Sequence, residues 1–205
     1  MTQHDLLTLL QGRTGHFYLE SGHHGELWFD LDALFLRPSR LSPFTQELAT
    51  RLSRAVEIDA ICGPLVGGTL IAAAVAGLLD RELYVAEPVP PAAGEGGLFS
   101  ARYAVPEAIR GRLAGKRVAV VDDVVNAGSA IRATATDLRA AGADVVAVGA
   151  LLVLGSRAAD YAAENGLALV HLAAMPNPIW EPAACPRCAA GEPLEDPGHN
   201  VPASA

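Results

Sequence analysis

Lysine is almost missing from this chain. Lys116 is the only one among 205 residues, and arginine carries the rest of the positive charge. Acids outnumber bases, 23 to 15, for a formal net charge of −8. That balance argues against nucleic acid as the main partner, because phosphate backbones are held by clustered Lys and Arg. An anionic ligand must therefore be attracted by local features rather than by the overall field. Three cysteines give no disulfide framework. No apolar run approaches the roughly 18 residues of a membrane span. The N-terminus carries Asp5 and lacks a charged-then-apolar signal pattern. The expectation is a cytoplasmic protein without membrane contact. What remains is an apolar chain, 51% hydrophobic and 19% charged, of a length that suits one domain with a sizeable core.

Residues 118–132 carry the strongest chemical signal. Four apolar residues, Val118 to Val121, end in two adjacent carboxylates, Asp122 and Asp123. Val124 and Val125 lead into a small polar loop, Asn126 to Ala130, and a helical pattern follows from Ile131. This reads as a buried parallel strand, a loop at its C-terminal end and a helix N-terminus. Ligands of open α/β sheets bind at that edge. Small residues let a phosphate approach backbone N–H groups, and the helix start favours the anion. The carboxylates do not serve phosphate; they suit sugar hydroxyls or a hydrated Mg²⁺. Together these groups describe a phosphorylated sugar.

Elsewhere, Asp5–Gln11 reads as a short helix, and His16–Glu20 and Leu27–Leu31 as strands around a turn. Helical spacing covers Pro43–Val56, a strand Asp59–Cys62, a small-residue helix Gly67–Leu79 and a strand Leu83–Ala86. Residues 87–97 hold three prolines and three glycines and read as a mobile loop; Leu98–Ala104 follows as a strand. Arg117–Val121 is the central strand and Ser129–Ala141 its helix. Asp144–Leu154, Arg157–Asn165 and Leu167–Ala173 repeat strand, helix, strand. The alternation predicts an α/β fold, a parallel sheet of about five strands flanked by helices. Residues 1–174 form that domain, with a small hood in 1–36, and 175–205 form an irregular proline-rich tail.

The segment Val118 to Ala130 resembles the phosphoribosyl-pyrophosphate (PRPP) motif of type I phosphoribosyltransferases. The resemblance implies that Asp122 and Asp123 hold the ribose hydroxyls. It implies that Asn126, Ala127, Gly128, Ser129 and Ala130 wrap the 5-phosphate, with Val124 and Val125 also in the PRPP site. Asn126 departs from the pattern, where a hydroxyl or small residue is usual. Cys62-Gly-Pro-Leu-Val-Gly-Gly-Thr69 also follows a strand and opens a helix. It resembles the pyrophosphate loop of orotate phosphoribosyltransferases, implying PRPP contacts from Gly63, Pro64, Val66, Gly67 and Gly68. Gly15 to Asp30 resembles the N-terminal hood of the same family through Phe17, Leu19, Ser21-Gly22 and Trp28-Phe29. There the aromatic pair packs on the flat base; stacking suits a planar ring and discriminates little among bases. Trp28, Phe29, Asn126 and Arg157 are the candidate base contacts.

Three departures weaken the match. Glu20 stands where the family has a lysine, and Tyr84-Val-Ala-Glu87 where it has an Arg-Lys pair. The loop Pro88–Ser100 has no Lys, Arg or His, whereas the family closes cations over PRPP there. Cations at that place stabilise charge developing on the leaving pyrophosphate. The nearest replacements are Arg102, Arg110 and Arg112, with Arg102 first; an arginine could also act in trans within a homodimer. Arg132 is expected to face solvent or a subunit contact.

The implied activity is transfer of ribose 5-phosphate from Mg²⁺-PRPP to a nitrogenous base, orotate first, with Asp122, Asp123 and Arg102 as catalytic residues. A PRPP-sensing regulator and a transferase for another base are the alternatives. In the tail, Cys185 and Cys188 offer half of a zinc site. His171, His199 or a second tail in a dimer could complete it; a merely reduced pair is the other reading. His23 and His24 are assigned to solvent or substrate entry.

Overall fold

The computed structural model describes residues 3–10, 12–29, 31–90 and 98–197. Strand β3 (Ala60–Pro64) is buried along its whole length. Its neighbours are β4 (Glu82–Pro88) and β6 (Arg117–Val125), both parallel to it. Strands β7 (Asp144–Leu154) and β8 (Ala168–Met175) continue the parallel sheet, and β5 (Tyr103–Ala104) closes its other edge antiparallel. The strand order is β5-β4-β3-β6-β7-β8, so the five parallel strands expected are present and a two-residue antiparallel strand is added at one edge.

Alternation along the strands splits the interior into two layers. Ile61, Ala119 and Val121 face one layer with Leu48, Leu52 and Ile71. Cys62, Val118 and Val120 face the other with Ile131, Ala135 and Leu138. The first layer is covered by α1 (Gln3–Leu10), α3 (Pro38–Ala55) and α4 (Gly67–Leu79). The second is covered by α6 (Ser129–Ala140) and α7 (Arg157–Glu164). In α6 the buried positions Ile131, Thr134, Ala135 and Leu138 follow helical periodicity. Short helices α2 (Asp32–Phe35) and α5 (Glu107–Arg110) join these elements.

Helix α3 begins five residues earlier than its spacing suggests. Pro38 starts it, since a first-turn proline lacks an N–H that the helix could not use. Strand β6 also runs four residues past its expected end at Val121, so both acids lie within the strand.

The hood is a separate antiparallel sheet of β1 (Gly12–Tyr18), β2 (His24–Phe29) and β9 (Ile179–Trp180). The tail is thus not irregular throughout. Its strand β9 pairs with β2, His24 opposite Trp180, and a short helix α8 (Pro186–Ala189) follows. Glu195 continues the docking: its N–H donates to the His16 carbonyl, and its carbonyl accepts from the Tyr18 N–H. Two-residue pairings leave no sequence periodicity, which hides them from pattern reading.

Candidate active site

The chain order of strands reverses between β3 and β6. Their pairing stops at Cys62 opposite Val120, while both strands run on. The gap opens a cleft of about 1120 Å³ at the C-terminal edge of the sheet. Crevices for ligands form where strand order switches in this way.

Two loops form its floor. From β6 come Asp122, Asp123, Val124, Val125, Asn126, Ala127, Gly128, Ser129 and Ala130, all lining the cleft. Gly128 caps α6 with φ +81°, a left-handed backbone that side chains resist, so glycine belongs there. From β3 come Pro64, Leu65, Val66, Gly67 and Gly68 at the start of α4. The Thr69 hydroxyl pins this loop by donating to the Gly63 carbonyl at 3.0 Å. Gly63 lies beneath the lining, where a Cβ would meet the Gly68 carbonyl oxygen at 2.5 Å.

The loops interlock through the acids. A Cβ at Gly67 would sit 1.9 Å from Asp123 Oδ2, and one at Gly68 2.5 Å from Asp122 Oδ1. Both carboxylates therefore occupy the space the glycines vacate, at the positive end of α4. Asp123 Oδ1 accepts from the Val124 N–H at 2.6 Å, and Asp122 Oδ1 from the Asp123 N–H at 3.0 Å. No cation among the described residues pairs with either. Burial, then the neighbouring Asp123 charge, pushes the Asp122 carboxyl well above the usual carboxylate range. Burial raises Asp123 as well.

The hood roofs the cleft. Trp28 and Phe29 both line it. Trp28 leans on Phe17, ring centroids 6.2 Å apart, while Phe29 packs over Gly12 and the first interior layer. Glu20 reaches in at the mouth: it accepts from Tyr103 Oη at 2.9 Å and from Ser129 Oγ at 3.4 Å. Burial and Glu20 together push the Tyr103 phenol up. Asn126 accepts an amide hydrogen bond from Asn177 at 3.0 Å, so its side chain is tied to the segment after β8.

The expected cations are elsewhere. Arg102 is exposed and does not line the cleft; Tyr103, next along the chain, does. Arg110 makes a two-oxygen clamp on Asp137 of α6, and Arg112 reaches Glu82 at 3.5 Å. Arg157 also lies outside the lining; its charge helps burial lower the pKa of His23. Arg132 is half-buried rather than fully turned to solvent. Its guanidinium lies between the Phe99 and Tyr161 rings, 5.1 and 4.4 Å from their centroids. The one cation on the cleft wall among the described residues is Arg13, unheralded by any motif and paired with Glu195 at 2.9 Å. Residues 91–97 of the expected loop lie outside the described residues, as does His199. Cys185 and Cys188 stand away from the cleft, beside His16 and His24.

A diacid and two glycine-bearing loops meet at a strand-order switch, an arrangement suited to phosphorylated, hydroxyl-bearing ligands. The chain belongs to the phosphoribosyl transferase domain family, whose model matches residues 45–171. It is 31% identical to an orotate phosphoribosyltransferase of Thermotoga maritima, over 90% of each chain. A Phenylobacterium zucineum protein of the same name is 31% identical over 97% of each. Among solved structures, orotate phosphoribosyltransferase from Aeropyrum pernix superposes with a TM-score of 0.65 at 26% identity, covering 85% of this chain and 94% of that one. An adenine phosphoribosyl transferase from Trypanosoma brucei shares the fold, with a TM-score of 0.63 at 15% identity over 84% of this chain and 78% of that one.

Proposed function

We propose that this chain transfers ribose 5-phosphate from PRPP to orotate, releasing pyrophosphate and forming a nucleoside 5-monophosphate. The observation that carries the reading is the convergence of Asp122, Asp123 and the start of α6 on Gly67 and Gly68 within one cleft. The substrate choice rests on the names and coverage of the relatives above.

In this reading Asp122 and Asp123 accept hydrogen bonds from the ribose hydroxyls and stabilise positive character at the anomeric carbon as its bond to pyrophosphate breaks. A ring nitrogen of the base forms the new bond there. Backbone N–H groups of residues 126–130 hold the 5-phosphate, and those of residues 63–68 the pyrophosphate. Trp28 or Phe29 covers the base. The carboxylate oxygens suit a hydrated Mg²⁺ held by Asp122 and Asp123 together with PRPP, which when bound neutralises pyrophosphate charge. A homodimer and a cytoplasmic location belong to the same proposal, with Arg102 reaching the partner's cleft.

One observation favours a second reading. Four acids, Glu20, Asp122, Asp123 and Asp196, line the described cleft against the single cation Arg13. A PRPP-binding regulator needs no leaving-group cation. Pyrophosphate release from Mg²⁺-PRPP, with orotate and other bases offered separately, decides between them. Release with orotate is expected. Release with another base alone changes the substrate, and tight PRPP binding without release supports the regulator.

A further inference from the structure

Away from the cleft, four side chains from distant parts of the chain meet. They are His16 of β1, His24 of β2, and Cys185 and Cys188 at the start and within α8. Their ligand atoms all lie within 4.8 Å of one another. His16 Nε2 is 3.3 Å from His24 Nδ1 and 3.3 Å from Cys185 Sγ. Cys188 Sγ is 3.2 Å from His24 Nδ1 and 3.8 Å from His16 Nε2. We propose that these four residues form a tetrahedral zinc site that fastens the C-terminal segment to the hood.

The spacing fits the ion. Zinc–nitrogen bonds of about 2.05 Å and zinc–sulfur bonds of about 2.3 Å give tetrahedral edges of about 3.3 Å for N–N and about 3.5 Å for N–S. The N–N separation of 3.3 Å matches its edge, and the N–S separations of 3.2 to 3.8 Å bracket theirs. Two thiols and two imidazoles are also the donors zinc prefers in closed structural sites.

The surroundings are built for it. His16 Nδ1 lies 3.0 Å from the Glu192 carbonyl oxygen, which accepts its proton and leaves the Nε2 lone pair aimed at the cluster. A β-bulge at Gly15 and His16, where the register shifts against β2, turns that ring inward. His16, His24 and Cys185 are buried, whereas Cys188 is exposed and gives the ion a way in. Arg187 lies between the cysteines and pairs with Glu26 and Glu192, holding the turn against β2. On binding, the two thiols release their protons to solvent and the imidazoles bind neutral.

The consequence is positional. The segment after α8 pairs with β1 at Glu195, and Asp196 and Pro197 line the cleft. The site thus fixes one wall of the cleft without touching the reacting groups.

The test is elemental analysis of the full chain purified without chelator, then dialysed. One zinc per chain is expected, with none in Cys188→Ser and an unchanged content in Cys62→Ser. Cobalt exchanged into the wild-type protein is expected to give thiolate charge-transfer bands and tetrahedral d–d absorption, a readout that needs no variant. Removing zinc is expected to speed tryptic cleavage after Arg187 several-fold. Wild-type protein that retains no zinc after zinc loading and dialysis overturns the proposal, as does Cys188→Ser with full zinc. Neither result depends on phosphoribosyl transfer, so this site and the catalytic reading fail separately.

Discussion

The two edges of the main sheet use the same residue types in opposite ways. At the N-terminal edge Asp59, Glu57 and Glu82 each meet a cation. Asp59 accepts from the Arg117 backbone N–H at 2.9 Å and from its guanidinium at 2.9 and 3.0 Å. Glu57 also meets Arg117, and Glu82 meets Lys116 and Arg112. The hydrogen bonds from Arg117 hold the Asp59 carboxyl far below its ordinary range. At the C-terminal edge Asp123 is buried, Asp122 beside it is half-buried, and both carboxyls are shifted upward. One edge is settled by its own residues; the other is left charged against itself, as a site waiting for a ligand's hydroxyls and cation would be. The chain's single lysine stands at the settled edge.

Filling the glycines at the ligand edge is expected to have the largest effect. Gly68→Val puts side-chain atoms where a Cβ already lies 2.5 Å from Asp122 Oδ1 and 2.8 Å from Pro64. A loss of about 1–3 kcal/mol is expected in denaturant melts, together with loss of PRPP binding.

Next come two carboxylate removals with opposite expected effects on stability. The Asp122 pKa is raised on folding, so its ionised form opposes folding above that pKa and the penalty fades as pH falls through it. Asp122→Asn is therefore expected to raise Tm at pH 7. Asp59 is lowered on folding, so its contribution is full above about pH 4 and lost as pH falls below. Asp59→Asn is expected to lower Tm at pH 7, with the difference narrowing in acid. Melts of both variants between pH 3 and pH 7, run side by side, check the signs; equal signs contradict the contrast.

Glu20 gives a subtler sharpening. It accepts hydrogen bonds from Tyr103 and Ser129 across the cleft mouth, next to an already acidic floor. Glu20→Lys is expected to lower KM for PRPP and to improve orotate turnover. Unchanged steady-state constants would set Glu20 outside the substrate path. The smallest effect is expected at the settled edge: Arg112→Ala removes an exposed pair at 3.5 Å, and its Tm should match wild type within error.

Much of the ligand edge was legible in residues 118–132, because a buried strand, adjacent acids and a glycine loop occur in order. The strand's true end at Val125 was not. Aspartate is a poor strand former, and the space opposite it belongs to Gly67 and Gly68, more than 50 residues away in sequence. The stacking of Arg132 was hidden for a related reason: its partners Phe99 and Tyr161 come from distant parts of the chain. The tail strand pairs His24 with Trp180, and His16 meets Cys185 across 169 positions, both beyond any motif spacing. Local chemistry shows in sequence; partnership across the fold does not.

Asp122 and Asp123, without a cation partner among the described residues, are proposed to serve PRPP. Isothermal calorimetry of Mg²⁺-PRPP on wild type and on Asp122→Asn with Asp123→Asn tests this most directly. Two lost hydrogen bonds to charged groups, each worth about 1.5–3 kcal/mol, predict weakening by about 100-fold or more in a variant that still melts cooperatively. A folded double variant that binds Mg²⁺-PRPP as tightly as wild type contradicts the account.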